Sequence, residues 1–172
     1  MNIPFMSWDL YHSTEMKLGK DIWEVLLISM SEAAETEKHL AKERGEQQDG
    51  EGYWRIPVIV DGGWSKRSYG HDYSASGGVA VIVGRYSKKI LYIGVRNKFC
   101  TVCRRSANKN KAADPHVCAC NWKSTSTSME RDIIVDGFRQ SEEIYGLRYT
   151  TLIGDGKNRN YTKKKKQKKK KQ

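Results

Sequence analysis

A short apolar strand that runs into an acidic, glycine-containing segment is the feature of this sequence that most limits its fold. The apolar run is Ile56 to Val60, and Asp61, Gly62 and Gly63 follow it directly. An uninterrupted run of this kind favours a strand buried on both faces, as in the sheet of an α/β protein. Because ligands and metals bind at the carboxyl ends of strands in such sheets, Asp61 is a candidate metal ligand. An Asp-Gly turn that opens a hairpin is the alternative that this segment alone leaves open.

The composition is that of one globular domain with a basic tail. The chain has 172 residues, of which 38% are hydrophobic and 30% charged, and its net charge is +11. Eight of the positive charges lie between Lys163 and Lys171, so only about +3 belongs to the rest of the chain. No apolar run is long enough to cross a bilayer, and residues 1–5 lack the features of a signal peptide. We therefore expect a nuclear or otherwise cytoplasmic protein.

The order of the expected elements divides the chain into three parts. A helix over residues 21–43 and a flexible linker over 45–52 make up an N-terminal region, residues 1–52. The core, residues 53–161, contains the first strand, then strands over 77–84 and 90–95 in an antiparallel meander. Residues 162–172 are a disordered polylysine tail, either a nuclear-import signal or a nucleic-acid tether that uses side chains such as Lys163, Lys164, Lys165 and Lys166.

A helix and a fourth strand follow the meander. The sequence predicts a helix from Met129 to Tyr145, with Thr127 as N-cap, Glu130 completing a capping box, and Gly146 as a left-handed cap. A helix of this length is the expected crossover into a strand, residues 148–153, that is parallel to the first. The helix over 21–43 is expected to pack through its apolar positions, with a coiled-coil or partner-binding role as the alternative.

The cysteines form one cluster in the sequence that predicts a zinc site. Cys100 and Cys103 make a CxxC pair, and His116 and Cys118 follow at a distance that allows four soft ligands to surround one ion. Cys120 is either a substitute fourth ligand or a bystander. We expect a structural Zn²⁺ in an insertion over residues 98–122, with unligated reduced cysteines as the alternative. Basic residues of the insertion are available to phosphates, although a solvated loop is the commoner outcome: Arg104, Arg105, Lys109 and Lys111.

A second acidic segment gives Asp61 a partner. Strand 148–153 is followed by Gly154, Asp155 and Gly156. If the first and fourth strands are neighbouring and parallel, Asp61 and Asp155 emerge at the same end of the sheet, within reach of shared Mg²⁺ or Mn²⁺ ions. A strand with Asp, a meander, a helix and a second strand with Asp is the layout of ribonuclease H-like polynucleotidyl transferases. The predicted fold class is therefore α/β, a partial ribonuclease H-like fold with a zinc-binding insertion and an N-terminal helix.

Several blocks together resemble the Mutator-like transposase domain, in particular its insect-type versions. They are Val60-Asp-Gly-Gly-Trp-Ser-Lys-Arg67, Ser76 to Gly84, Cys100-x-x-Cys103, His116-x-Cys118-x-x-Asn121-Trp122, Ser128-Met-Glu130 and Leu147 to Gly156. The resemblance covers roughly residues 30–161. It implies that Asp61 and Asp155 are the first two acids of a DDE catalytic triad, that Lys66 and Arg67 lie near phosphates, and that the family's activity is metal-dependent DNA cleavage and strand transfer.

The sequence also departs from the pattern of this family. It contains no Asp or Glu after Asp155, so the third acid is missing. Glu130 could approach the site as helical acids do in ribonucleases H, but its expected capping role explains it equally. We therefore expect a transposase-like protein that is the N-terminal part of a catalytic core and is weak or inactive. The alternative is a non-catalytic, zinc-stabilised nucleic-acid-binding protein. DNA is the expected partner, a membrane is not, and a homo-oligomer is left open.

Overall fold

One four-stranded mixed sheet carries the fold in a computed structural model that describes residues 5–65 and 74–154. The strands are β1 (Trp54–Trp64), β2 (Gly77–Gly84), β3 (Ile90–Asn97) and β4 (Leu147–Ile153). The helices are α1 (Trp8–Glu43), α2 (Thr101–Asn108) and α3 (Met129–Tyr145), and a 3₁₀ turn over Ser126–Ser128 precedes α3.

The strand order is β3-β2-β1-β4, and it contains the meander and the parallel strand that the sequence predicts. β1, β2 and β3 are antiparallel to one another, whereas β4 runs parallel to β1 and pairs with it as far as Ile59 and Ile153. A parallel neighbour requires a crossover connection, and α3 supplies most of it. The amino ends of β1 and β4 therefore lie together, and so do their carboxyl ends.

β1 is longer than its apolar run suggested. It continues through Trp64, with Asp61 opposite Val81 and Gly63 opposite Val79 in the ladder with β2. The alternative of an Asp-Gly hairpin turn is therefore wrong. Glycine and aspartate are poor strand residues, but a neighbouring strand supplies hydrogen-bond partners that the local sequence cannot reveal.

Both long helices cover the same face of the sheet. Alternate residues of β2 are buried, as expected for a strand with one covered face: Gly78, Ala80, Ile82 and Gly84. Ile133 of α3 packs with Ala80, and Ala33 of α1 belongs to the same cluster as Ile82. In β1 only Ile56 and Val58 are fully buried, so the expectation of a strand buried on both faces is not met within the described residues.

α1 begins much earlier than predicted, at Trp8 instead of residue 21. The Ser7 hydroxyl accepts a hydrogen bond from the Leu10 N–H at 3.3 Å and caps the first turn. Only the second half of α1 packs on the sheet, through Met30, Ala33, Ala34, Glu37 and Ala41. The expectation that the apolar side chains near residues 22–25 pack in the core is wrong, since Ile22 and Val25 are 64% and 65% exposed.

A buried carboxylate joins α1 to the turn between β2 and β3. Glu37 has no exposed surface, and its Oε1 accepts hydrogen bonds from the backbone N–H groups of Tyr86 at 3.1 Å and Ser87 at 2.8 Å. Gly84 lies directly beneath this carboxylate, where a Cβ atom would collide with it. A carboxylate that accepts backbone N–H groups is stabilised in the absence of a cationic partner.

Residues 45–52, expected to be a flexible linker, form a turn with several side-chain hydrogen bonds. Asp49 Oδ1 accepts hydrogen bonds from the backbone N–H groups of Glu51 and Tyr53. The Arg148 guanidinium bonds Asp49 and Glu51, each at 2.7 Å, and Glu142 at 3.0 Å. The backbone N–H of Tyr53 is the main cause of a lowered pKa of Asp49. The turn is thereby tied to α3 and β4.

α3 has the predicted bounds but not the predicted N-terminal cap. Gly146 ends the helix with φ of 60°, as expected for a left-handed cap. At the other end the 3₁₀ turn places Ser128 at the cap position, with no side-chain hydrogen bond, so the capping box of Thr127 and Glu130 is wrong. Ile144, an apolar residue that the helical spacing would place in the core, is 62% exposed.

Candidate metal centre and acidic strand segment

Three cysteines and one histidine converge in the insertion that follows β3. The ligand atoms of Cys100, Cys103, His116 and Cys118 all lie within 4.8 Å of one another. The His116 Nε2 atom is 3.3 Å from Cys100 Sγ and 3.4 Å from Cys103 Sγ, and the Sγ atoms of Cys103 and Cys118 are 3.6 Å apart. All the cysteines are free thiols, so no disulfide competes for these sulfurs.

These separations fit a tetrahedral zinc site. Zn–S bonds of about 2.3 Å and Zn–N bonds of about 2.05 Å at a tetrahedral angle put sulfurs about 3.8 Å apart, and sulfur about 3.6 Å from nitrogen. Three of the six distances in the group are slightly shorter, 3.3 to 3.6 Å, and all six are within 4.8 Å. The Cys₃His group could therefore bind a metal such as zinc.

Part of the insertion is helical, whereas the sequence predicted a polar loop. Cys100 is the N-cap residue of α2 and Cys103 lies in its first turn. Residues three apart share one face of a helix, so both sulfurs project to the same side. No residue of α2 is buried, which explains why hydrophobic periodicity did not reveal it.

The pKa values of the cysteines in the Cys₃His group show how a bound cation would change their protonation. Backbone N–H groups of Cys103 and Ala119 stabilise the Cys100 thiolate and lower the pKa of Cys100 to about 6. The pKa of Cys103 is raised to about 11, chiefly by its hydrogen bond to the Cys118 thiol. In the metal-free group a second thiolate is thus disfavoured. A bound divalent ion reverses this preference, because it stabilises all the thiolates that coordinate it.

His116 is oriented for coordination through Nε2. Its Nδ1–H donates to the carbonyl oxygen of Asp114 at 2.8 Å, and this contact is the largest cause of the raised pKa of His116, about 8. A backbone carbonyl on one ring nitrogen fixes the tautomer and leaves the other nitrogen for the metal. That nitrogen is the one that faces Cys100 and Cys103.

Cys120 lies outside the group. Its thiol donates to the carbonyl oxygen of Lys98 at 3.3 Å, so it holds the two arms of the insertion together. Of the two candidates for the fourth position, the structure brings Cys118 to the other ligands.

The insertion leaves and rejoins the sheet at one residue. The carbonyl oxygen of Asn97 accepts hydrogen bonds from the backbone N–H groups of Asn121 at 2.9 Å and Trp122 at 3.0 Å. The Asn97 N–H in turn donates to the side-chain oxygen of Asn121 at 2.6 Å. The end of β3 therefore positions the metal centre.

Of the two aspartates expected to bind divalent cations, only Asp61 lies within the described residues. Asp61 is exposed, and its Oδ1 accepts the N–H of Gly62 at 2.8 Å. Several residues singled out in the sequence lie outside the described ranges: Lys66, Arg67, Asp155, Lys163, Lys164, Lys165 and Lys166.

Glu130 lies beside this acidic segment. A Cβ atom built on Gly62 would be 2.8 Å from Glu130 Cδ and 3.2 Å from its Oε2. Because Gly62 has no side chain, the carboxyl group of Glu130 can lie over the strand at this position, on the face covered by α3. The glycine at position 62 was the available sequence signal, since glycine in a strand marks a close approach.

The described fold is a mixed α/β architecture with a four-stranded sheet and a Cys₃His group beyond β3. A family model of the Mutator-like transposase matches residues 1–172, the whole chain. The chain therefore belongs to the Mutator-like transposase family, as its sequence motifs suggested. Comparisons with curated proteins and with solved structures gave no match. Among the described residues, no helix combines the length and apolarity needed to cross a membrane.

Proposed function

We propose that this chain is a transposon-derived, DNA-transposase-like protein on a ribonuclease H-like fold. Its chemistry is metal-dependent cleavage and strand transfer of DNA, with Asp61 and Asp155 as ligands of divalent cations. Family membership supports the class of reaction, and the parallel pairing of β1 with β4 supports the location of the site.

The observation that carries the proposal is the register of β1 and β4. Pro57 pairs with Thr151, Val58 with Leu152 and Ile59 with Ile153, a constant offset of 94 positions after the irregularity at Ile56. The same offset relates residues 61 and 155. In a continued parallel ladder, the two aspartates would be neighbours on one face of the sheet.

Glu130 is the candidate third acid in this proposal; it lies on the face of β1 covered by α3, opposite the face of the Asp61 side chain, so its carboxyl group would have to reach the cations past Gly62. It approaches β1 from the amino-terminal turn of α3, over the backbone of Gly62. It takes no part in a capping box, although an acid in the first turn of a helix also favours the helix dipole.

In this proposal the carboxylates position divalent cations and balance their charge. Bound Mg²⁺ or Mn²⁺ would activate a water or a 3′-hydroxyl and stabilise the leaving oxygen of the phosphodiester. Asp61 and Asp155 would hold the cations, and Lys66 and Arg67 would neutralise phosphate charge. The Cys₃His group would take a structural Zn²⁺ that folds the insertion, because its four ligands leave no open position. The lysine tail favours a nuclear location.

A nicking assay on supercoiled DNA with Mg²⁺ or Mn²⁺ tests the proposal. Cleavage should require the cation and should fall at least ~100-fold in Asp61→Asn and in Asp155→Asn. Glu130→Gln should weaken it, and Asp21→Asn, an exposed acid of α1, should leave it unchanged. Cleavage that survives both Asp61→Asn and Asp155→Asn would show that the activity lies elsewhere.

The second candidate is a non-catalytic, zinc-stabilised nucleic-acid-binding protein. The convergent Cys₃His group favours it, since that group depends on no catalytic acid. Salt-sensitive DNA binding without any cation-dependent cleavage would identify this alternative.

A further inference from the structure

The net positive charge of the described fold lies in the insertion. Residues 98–123, called here the basic insertion, contain six Lys or Arg residues and one acid, Asp114. The other described residues contain 13 Lys or Arg and 17 Asp or Glu. The basic insertion is thus positive on a domain that is otherwise acidic.

Its cationic side chains are exposed and form no ion pair within the described residues. All six are exposed: Lys98, Arg104, Arg105, Lys109, Lys111 and Lys123. Elsewhere in the fold Arg96 is held by Asp132 and Asp136, and Arg148 by acids of the turn before β1 and of α3. The charges of the basic insertion therefore remain available to an external anion.

Packing does not account for α2. It has no buried residue, yet it presents Arg104 and Arg105 in succession and is followed by Lys109 as its C-cap residue. A bound Zn²⁺ would not cancel this charge, because three thiolates and one dication sum to about −1 against a local excess of about +5. A short, rigid, cationic helix that the core does not need suits a phosphate backbone.

The same helix supplies two of the metal ligands. Cys100 caps α2 and Cys103 lies in its first turn, immediately before Arg104. The position of the arginines is therefore set by the geometry of the Cys₃His group.

We propose that the basic insertion is the surface that holds duplex DNA, through contacts of Arg104, Arg105, Lys109 and Lys111 with the phosphate backbone. The contact is independent of base sequence and requires the metal-loaded Cys₃His group. This inference rests on the proposed action on DNA and assigns the docking surface for it.

Fluorescence anisotropy with a fluorescein-labelled duplex, in Ca²⁺ and at several salt concentrations, tests this assignment. Arg104→Gln/Arg105→Gln is compared with Arg85→Gln/Lys88→Gln, which removes the same charge at the opposite end of β3, about 23 Å away by strand rise. The first pair should weaken binding roughly 10- to 30-fold near physiological salt and reduce the slope of log K against log [salt] by about 2. The control pair should change neither.

The lysine tail is present in both variants, so its contribution cancels in the comparison. Zinc chelation should weaken binding by the native chain more than binding by Arg104→Gln/Arg105→Gln, which retains only the contacts of Lys109 and Lys111. The proposal would be overturned if Arg104→Gln/Arg105→Gln and Arg85→Gln/Lys88→Gln lost the same amount of DNA affinity. It would also be overturned if the chain bound single-stranded RNA more tightly than the duplex.

The proposed docking surface and the proposed catalytic function can be tested separately. Binding is measured in an Asp61→Asn background as well, where cleavage is removed and the basic insertion is intact. A preserved effect of Arg104→Gln/Arg105→Gln without any cleavage by the native chain would refute the catalytic function and leave the docking surface standing.

Discussion

Glu37 Oε1 in α1 accepts a hydrogen bond from the backbone N–H of Ser87 at 2.8 Å, across 50 positions of the chain. Replacing Glu37 by Ala would leave that N–H and the N–H of Tyr86 without an acceptor and would open a cavity. We expect a loss of about 2–4 kcal/mol in the free energy of unfolding, measured by urea denaturation.

Glu37→Gln is the matched variant, because its side-chain oxygen can still accept both hydrogen bonds, and it should cost clearly less. Glu35→Ala is the control at the surface, where the ion pair with Lys38 contributes at most about 1 kcal/mol. Equal losses in Glu37→Ala and Glu35→Ala would contradict the role of Glu37 in joining α1 to the hairpin.

Gly62→Ala tests the approach of Glu130 to β1. The added methyl group would lie 2.8 Å from Glu130 Cδ, so the side chain of Glu130 must move. We expect weaker Mn²⁺-dependent nicking but a loss of less than about 1 kcal/mol in stability, because the flexible side chain of Glu130 can move away. Gly77→Ala is the control, because its nearest contact would be an ordinary 3.6 Å. If Gly62→Ala nicked DNA as fast as the native chain does, Glu130 would not belong to the proposed site.

Metal content distinguishes Cys103 from Cys120. Native mass spectrometry should find one Zn²⁺ per chain, lost in Cys103→Ser and retained in Cys120→Ser, whose thiol bonds the carbonyl of Lys98. Loss of the metal should also expose the insertion to proteolysis, since no residue of α2 packs in the core. A metal-free native chain, or zinc lost equally in both variants, would contradict the Cys₃His assignment.

The turn before β1 should give the stability a dependence on acid. The pKa of Asp49 in the folded chain is lowered, first by the N–H of Tyr53 and further by Arg148. Its contribution is therefore present above the pKa of the unfolded chain and is lost as pH falls through the folded value. Urea denaturation between about pH 6 and pH 3 should show a steeper decline for the native chain than for Asp49→Asn. Parallel declines would mean that Asp49 has the same pKa folded and unfolded.

The sequence was informative where a pattern is local. The bounds of α3 follow from its apolar spacing and Gly146, and the parallel neighbour of β1 follows from the need for a crossover. The Cys₃His ligands followed from their spacing and from coordination chemistry. These features rest on rules that operate within one segment or one motif.

The sequence-based predictions were wrong where contacts between distant segments determine the local structure. β1 extends past Asp61 because β2 pairs with it, and Glu130 lies over Gly62 instead of capping α3. α2 escaped notice because a helix without a buried face has no periodic signal. The early start of α1 was missed because Trp8 and its neighbours, although apolar, have no place in the core.

The closure of the insertion at Asn97 has a consequence for how this fold can vary. Because the outgoing and returning chains meet at one backbone carbonyl, the 23 residues between Asn97 and Asn121 begin and end at the same point of the sheet. We therefore expect that this segment can be lengthened, shortened or exchanged while β3 keeps its hydrogen bonds.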